Sequence, residues 1–438
     1  MSRFGAQVRP SSEVQDWMSI SSGGTTGEAP VSGYQRPSDW LPLPTVVAGE
    51  QKIVGMVAVR PVGPNRLAIK ISGAYTVDWG DGSAPANFAT GATASHAYTW
   101  ADIPASTLTT DGYRQVIVSI TMQGGQTMTA VHFDERHPSS IKTMSGWRDI
   151  RMAGASVSTF EFIGPTYESG YPREVERFDY VGTNAITNFW STFEGCGKLR
   201  QVVNLYTGAA TDTSGMFLNC GALLSVPAFD LSQVTDAYWM FRGCKSLRVI
   251  PDFTMNTTTT MDCDLMFSGC DNVRDFGALN LLKVKGYRFL DTRPLERYAA
   301  TNSSIQVNLM DAELTGSELN TVYTNLATIA DVSRTISTIT YNWDTFVATY
   351  TTTVNHGWVP GKRVMVSGVT PVHFNVGMEI RTVPALNQFT FTLSGQPASD
   401  YVSGGTVDHD TEVDVSGTEG IASDTPSIAT AKGWAVYT

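Results

Sequence analysis

The chain has 438 residues, enough for two to four domains. Only 16% of them are charged and 40 are glycine, a balance that suits a β-rich protein with many turns. The 30 basic and 41 acidic residues give a net charge of −11 with no Lys/Arg cluster, which argues against a nucleic-acid partner, and no apolar run is long enough to insert into a membrane.

Residues 1–45 are rich in Ser, Gly, Thr and Pro, and the run Ser19–Gly27 offers almost nothing to a core. They are expected to form an extended N-terminal arm. The start, Met1 to Gln7, lacks the apolar stretch of a signal peptide, so no secretion signal is expected. Val8, Val14, Trp17, Met18 and Ile20 cluster before the Gly-rich link, and Tyr34, Trp40 and Leu41 follow it. Two readings stand: the patches dock onto a neighbouring subunit, or Trp40-Leu41 packs on the chain's own β domain.

Within 46–127, Ile53–Val59 and Leu67–Ile71 read as strands. Tyr75-Thr76-Val77-Asp78-Trp79-Gly80-Asp81-Gly82-Ser83 comes next, then His96-Ala97-Tyr98, then Gly112-Tyr113-Arg114-Gln115-Val116. This order resembles the PKD-type immunoglobulin-like β-sandwich, with Gln115 as one extra residue. Asp78 and Asp81 read as turn formers, because calcium takes six or more oxygen ligands. No metal is expected.

Residues 128–336 read as a solenoid. Its early coils are irregular, with candidate strands Val131–Phe133, Ser156–Phe162 and Val175–Tyr180. Phe193-Glu194-Gly195-Cys196 then returns as Phe217-Leu218-Asn219-Cys220, as Phe241-Arg242-Gly243-Cys244 and as Phe267-Ser268-Gly269-Cys270. The cysteines are 24, 24 and 26 residues apart. A fixed period of this size marks stacked coils, with Phe193, Cys196, Phe217, Cys220, Phe241, Cys244, Phe267 and Cys270 as interior ladders. Apolar-Pro steps follow at Val226-Pro227 and Ile250-Pro251. The pattern resembles the leucine-rich repeats of BspA-type surface proteins, and that resemblance implies a scaffold for binding and adhesion. The five cysteines allow disulfides or a metal site, but the spacings match no zinc pattern and a ladder of buried thiols is the simpler reading.

Phe289-Leu290 and Ile305–Leu309 read as further coils. Thr315-Gly316-Ser317-Glu318 is a capping box, and Leu319, Val322, Tyr323 and Leu326 make one apolar helix face. Arg334-Thr335-Ile336 is expected to continue into Asp414-Val415-Ser416-Gly417, leaving 337–413 as an inserted β domain. Its expected strands are Thr349–Val354, Lys362–Val366, Met378–Val383 and Gln388–Leu393, and Asn355–Gly361 resembles a link in a small β module of phage virion proteins. Residues 414–438 form the closing unit, with Asp424-Thr425-Pro426 opening a short helix. Ser427 to Trp434 resembles the end unit of phage-borne members of the repeat family. The expected fold class is mainly β with short helices: an immunoglobulin-like β-sandwich, then a leucine-rich-repeat solenoid carrying a small inserted β domain.

No nucleophile elbow, phosphate loop or His-Glu-x-x-His is present. Asp408-His409-Asp410 reads as a polar loop, since neighbours on a strand face opposite ways. Asp212, Asp230, Asp236, Asp252, Asp262 and Asp264 read as solvated corners, although paired carboxylates for glycoside hydrolysis need only the right separation. No catalytic, cofactor-binding or metal residue is assigned. The candidate binding surface is aromatic: Tyr238, Trp239, Trp343 and Trp358, with Trp190 also at a turn. Together the resemblances imply a non-enzymatic structural protein of a bacteriophage virion, assembled in the host cytoplasm, in a tail or tail fibre. Its expected partners are a host cell-surface protein or glycan, other virion proteins through the arm, and further copies of itself. The alternatives are a head or tail decoration protein and a polysaccharide-degrading tailspike.

Overall fold

The computed structural model describes residues 34–63, 65–133, 135, 137, 146–162, 174–285, 289, 295–303, 305, 307–309, 312–327, 334–355, 363–375, 377–393, 397, 399–409, 412–414, 418, 421, 423–430, 432 and 435–437. It is mainly β, 34% strand against 7% helix, so ladders between distant segments satisfy most backbone groups. Among the described residues no helix is long and apolar enough to cross a membrane.

The first ten strands are β1 (Lys52–Val59), β2 (Arg66–Ile71), β3 (Tyr75–Asp78), β4 (Ala86–Phe88), β5 (Thr93–Ala97), β6 (Arg114–Met122), β7 (Ala130–His132), β8 (Trp147–Ala153), β9 (Thr159–Glu161) and β10 (Arg177–Tyr180). They build two sheets. One runs β4, β3, β6, β1, β8, β10 and then Gln201–Val202; the other runs β5, β2, β7, β9. Ile53, Val57 and Val59 of β1 share a core with Leu67, Ile69 and Ile71 of β2. Pairing is antiparallel as far as β8 and β7, and parallel beyond them. Both sheets therefore pass directly into stacked coils, and one core runs from Ile53 to Ala429. The division expected at 127/128 is not a gap in the packing, because β7 and β8 each pair in both directions.

β8 was not among the expected strands. Trp147, Ile150 and Met152 enter the core, while Arg148, Asp149 and Arg151 carry charge. A bulge opposite Met56 and Val57 absorbs one extra residue of β8. The Trp147 ring lies where a Gly55 Cβ would stand, at 2.4 Å, so only glycine fits there.

Residues 34–46 form a third layer on β1. Trp40 packs with Met56, Ala58 and Tyr113, and Val46 with Val54 and Ala153. Gln115 ties the layer down, accepting from Leu41 N–H at 2.7 Å and donating to the Asp39 carbonyl at 2.8 Å. The arm expected over 1–45 is thus self-packed from 34 onward, and residues 1–33 lie outside the described residues.

The repeats form a β-solenoid of about six turns. Phe193, Phe217, Phe241 and Phe267 stack with ring centroids 5.2, 5.3 and 5.4 Å apart. The Phe193, Phe217 and Phe241 N–H groups donate to Met216, Met240 and Met266 of the next coil, which sets the rise. The Sγ of Cys220, Cys244 and Cys270 donates to the carbonyl of Phe193, Phe217 and Phe241 at 3.0, 3.2 and 3.1 Å. That bond is the physical reason for a thiol here: it is small, apolar and still a donor. All five cysteines are buried thiols, and burial pushes the Cys270 thiol up to about 12. The residue before each cysteine, Gly195, Asn219, Gly243 or Gly269, has φ between 61° and 76°, which explains the Gly/Asn alternation.

Helix α1 (Gly316–Asn325) starts at the reciprocal Thr315–Glu318 capping box and buries Leu319, Val322 and Tyr323. The closing unit stacks against it. Glu412–Asp414 pairs parallel with Val307–Asn308 and Ala435–Tyr437, and helix α2 (Ser427–Thr430) lies between. Tyr323 Oη donates to Asp424 at 2.7 Å. Lys432 Nζ caps the end of α1 at the Thr324 and Leu326 carbonyls.

Between these halves sits a separate small core with Tyr350, Phe374, Phe389 and Phe391. Seven strands surround it in the order Gly377–Glu379, Arg363–Thr370, Ser403–His409, Arg334–Asn342, Val347–Thr352, Gln388–Thr392, Thr382–Ala385. The first and last strands in that order are two residues apart in sequence. Three Cα steps span at most about 11 Å, so the sheet must curl until its edges nearly meet. Met378–Val383, expected as one strand, is therefore split across both edges, with buried Ile380 at the corner. Arg334–Ile336 does not continue into Asp414. It belongs to the inserted sheet, where Arg334 and Thr335 pair with Val407 and Thr406, and the insertion begins at 334. Entering and leaving strands pair with each other, which closes the neck.

Candidate functional site

Each coil turns sharply just before its buried Phe. Asn188, Asp212, Asp236 and Asp262 stack in register there. A side-chain oxygen of each accepts the N–H two residues on, from Trp190, Ser214, Tyr238 and Asp264, at 2.7 to 3.1 Å. These Asx turns give the recurring acids a structural role. Asp236 stands between two others; burial, then Asp212 and Asp262, push its carboxyl above the usual range.

Backbone bonds fix the next two columns. Ser191 N–H donates to Ser214, Gly215 to Tyr238, and Trp239 to Asp264, at 2.9, 2.8 and 3.1 Å. Trp190, Ser214, Tyr238 and Asp264 therefore form one column, and Ser191, Gly215, Trp239 and Leu265 the next. All four members of the second column are left-handed, with φ of 52°, 61°, 61° and 55°. For Trp239 and Leu265 that conformation costs on the order of 1–2 kcal/mol each.

Trp190 is 56% exposed. Tyr238 and Trp239 are half-buried and stacked, centroids 4.4 Å apart, and the Arg242 guanidinium lies 4.5 Å from the Trp239 ring. Trp239 Nε1 is buried and has no hydrogen-bond partner among the described residues. Between the aromatic coils lies one coil with only Ser214 and Gly215 at these positions. Two coil steps separate Trp190 from Tyr238 by about 10 Å. Ser214 and Gly215 are themselves buried, so the surface exposed at this corner is the aromatic one of the two flanking coils.

Of the expected surface, Tyr238 and Trp239 thus belong together, and Trp190 joins them. The signal for Trp190 was available: it stands two 24-residue periods before Tyr238 and two residues after an Asx. Trp343 is elsewhere, 44% exposed at a hairpin end of the insert, its ring against Tyr341 at 5.1 Å. Trp358 and Asp410 lie outside the described residues. The eight Phe and Cys ladder residues are all fully buried.

Among the described residues no group of three or more His, Cys, Asp or Glu could hold a metal. Asp78 Oδ1 accepts from Gly80 N–H, and Asp81 Oδ1 accepts from Ser83 N–H and Oγ–H. Asp81 Oδ2 meets His96 Nε2 at 2.6 Å, and His96 stacks on Trp79. Burial raises the Asp81 carboxyl, but Ser83 and His96 outweigh it and hold it below its usual value. A depressed folded pKa stabilises fully above the unfolded value, about 3.9, and that stability is lost as pH falls through the folded one. Asp81→Asn is therefore expected to lose about 1.5–3 kcal/mol at neutral pH. Its gap to the native chain should close as pH falls through the depressed Asp81 pKa, read from urea midpoints across pH; a gap of constant size would refute the ionised-turn account.

No known family model matches the chain, and no curated protein sequence matches it.

Proposed function

We propose that the protein is a non-enzymatic structural component of a bacteriophage virion, in a tail or tail fibre, that binds the host surface. The reading takes the two-sheet domain as PKD-like and immunoglobulin-like, and the coils as BspA-type leucine-rich repeats. What carries it is the aromatic cluster of Trp190, Tyr238 and Trp239 on the solenoid corner. Trp190 is exposed and Tyr238 partly so, and exposed aromatic surface that the core does not use marks an interaction site. The continuous core suits the task, since sheets and coils packed on one core from Ile53 to Ala429 bear load together. Residues 1–33 serve as the docking arm to other virion proteins, and copies of the chain assemble with each other in the particle.

The purified full chain is expected to compete with particles for host cells. The double variant Trp190→Ala/Tyr238→Ala should weaken that competition at least about tenfold with an unchanged unfolding midpoint. A chain that enters particles but never binds cells is a decoration protein. Oligosaccharide released from host capsule or lipopolysaccharide would make it a tailspike enzyme.

A further inference from the structure

We propose that the corner strip from Trp190 to Tyr238 binds a neutral or amino-bearing glycan, with its strand laid along the solenoid axis. The proposal rests on the host-binding reading and names its ligand. An extended glycan advances by about one coil per sugar, so sugars two apart can meet Trp190 and Tyr238, with the one between them spanning the Ser214 coil. The aromatic faces offer flat apolar area to the C–H faces of sugars.

Beside them runs the row of Asn188, Asp212, Asp236 and Asp262, two residues earlier in every coil. One Asp236 oxygen accepts from Tyr238 N–H, and among the described residues the other has no hydrogen-bond partner. Asp212 Oδ2 accepts from Asn188 Nδ2 at 3.4 Å and Asp262 holds Lys285, so Asp236 is the open acceptor beside the rings; it calls for a ligand with donors, and sugar hydroxyls and amines are donors. Charge narrows the class. The local carboxylates repel polyanions, and the nearby cations are engaged, Arg242 on the Trp239 ring and Lys285 on Asp262 at 3.1 Å. A peptide strand fits less well. The corner N–H and C=O groups already bond from coil to coil, so no sheet edge is open beside the rings.

The test applies the full chain to an array of bacterial surface polysaccharides, neutral and acidic. In parallel, it is applied to host cells untreated, periodate-oxidised or protease-treated. The expected result is binding to neutral or amino-bearing polysaccharides, weakened about tenfold by Trp190→Ala or Tyr238→Ala at unchanged unfolding midpoint, and cell binding abolished by periodate. Asp236→Asn should weaken the same binding. Cell binding that survives periodate and is lost to protease overturns the glycan assignment while leaving host binding intact. A preference for acidic polysaccharides, or binding that ignores all three substitutions, also overturns it. Absence of any cell binding removes the host-binding reading itself.

Discussion

Phe241→Ala is expected to destabilise the protein by about 3–5 kcal/mol, a large share of the stability of an ordinary domain. Phe241 is the middle of its column, stacked on Phe217 and Phe267 at 5.3 and 5.4 Å and touching Phe253 at 5.9 Å. The cavity cannot close by collapse along the axis. Phe217 N–H is bonded to the Met240 carbonyl and Phe241 N–H to the Met266 carbonyl, and these bonds hold the coils at a fixed rise. The neighbours lose dispersion contacts and cannot move to recover them. Phe241→Leu, which keeps most of the volume, should cost clearly less. Denaturant unfolding of both variants checks the ladder, and an Ala variant with the native midpoint would mean that the column is not the core.

Asp149→Ala should cost a comparable amount, about 3–5 kcal/mol, for a different reason. The Asp149 side chain is fully buried on β8, on the face covered by residues 34–46. It meets Arg36 Nε at 2.7 Å and Arg177 Nη1 at 3.1 Å. Arg36 also donates to the Trp40 and Leu41 carbonyls, so one carboxylate anchors the whole covering layer. Removing it leaves Arg36 without its ion pair and Arg177 with Asp179 alone, in a partly dry site. Asp149→Asn keeps the shape without the charge and should fall between. Arg36→Ala should cost less than Asp149→Ala, because Arg177 still satisfies the carboxylate. Hydrogen exchange along β1 reads the loss directly, since the covering layer shields that strand. Native protection in Asp149→Ala would show that the layer holds without the ion pair.

The repeats and their buried ladder were legible in the sequence because a solenoid meets the same environment once per coil. Phe, then Gly or Asn, then Cys had to recur, the second for its left-handed corner and the third for its thiol donor. The capping box at Thr315 and the apolar face of α1 were legible for a similar reason, since both are satisfied within a few residues. β8 was not. Its pattern of Trp147, Arg148, Asp149, Ile150, Arg151 and Met152 looks like a surface segment until residues 34–46 are laid over it. Asp149 becomes interior only because Arg36, far away in the chain, reaches it. The split of Met378–Val383 across two sheet edges was hidden likewise, since a strand-like alternation of apolar and polar residues does not say where a curled sheet turns its corner.

The candidate site divides along the same line. Tyr238 and Trp239 stood out by composition, and the 24-residue period already placed Trp190 in their column. What only the tertiary structure decided was that Trp190 faces out, that Ser214 and Gly215 leave the coil between them small, and that Trp343 belongs to another surface. Local pattern determines which residues share a coil position, because each position repeats the same backbone geometry. Which positions face water depends on contacts between distant segments, and those form only when the two sheets, the coils and the insert have closed around their cores.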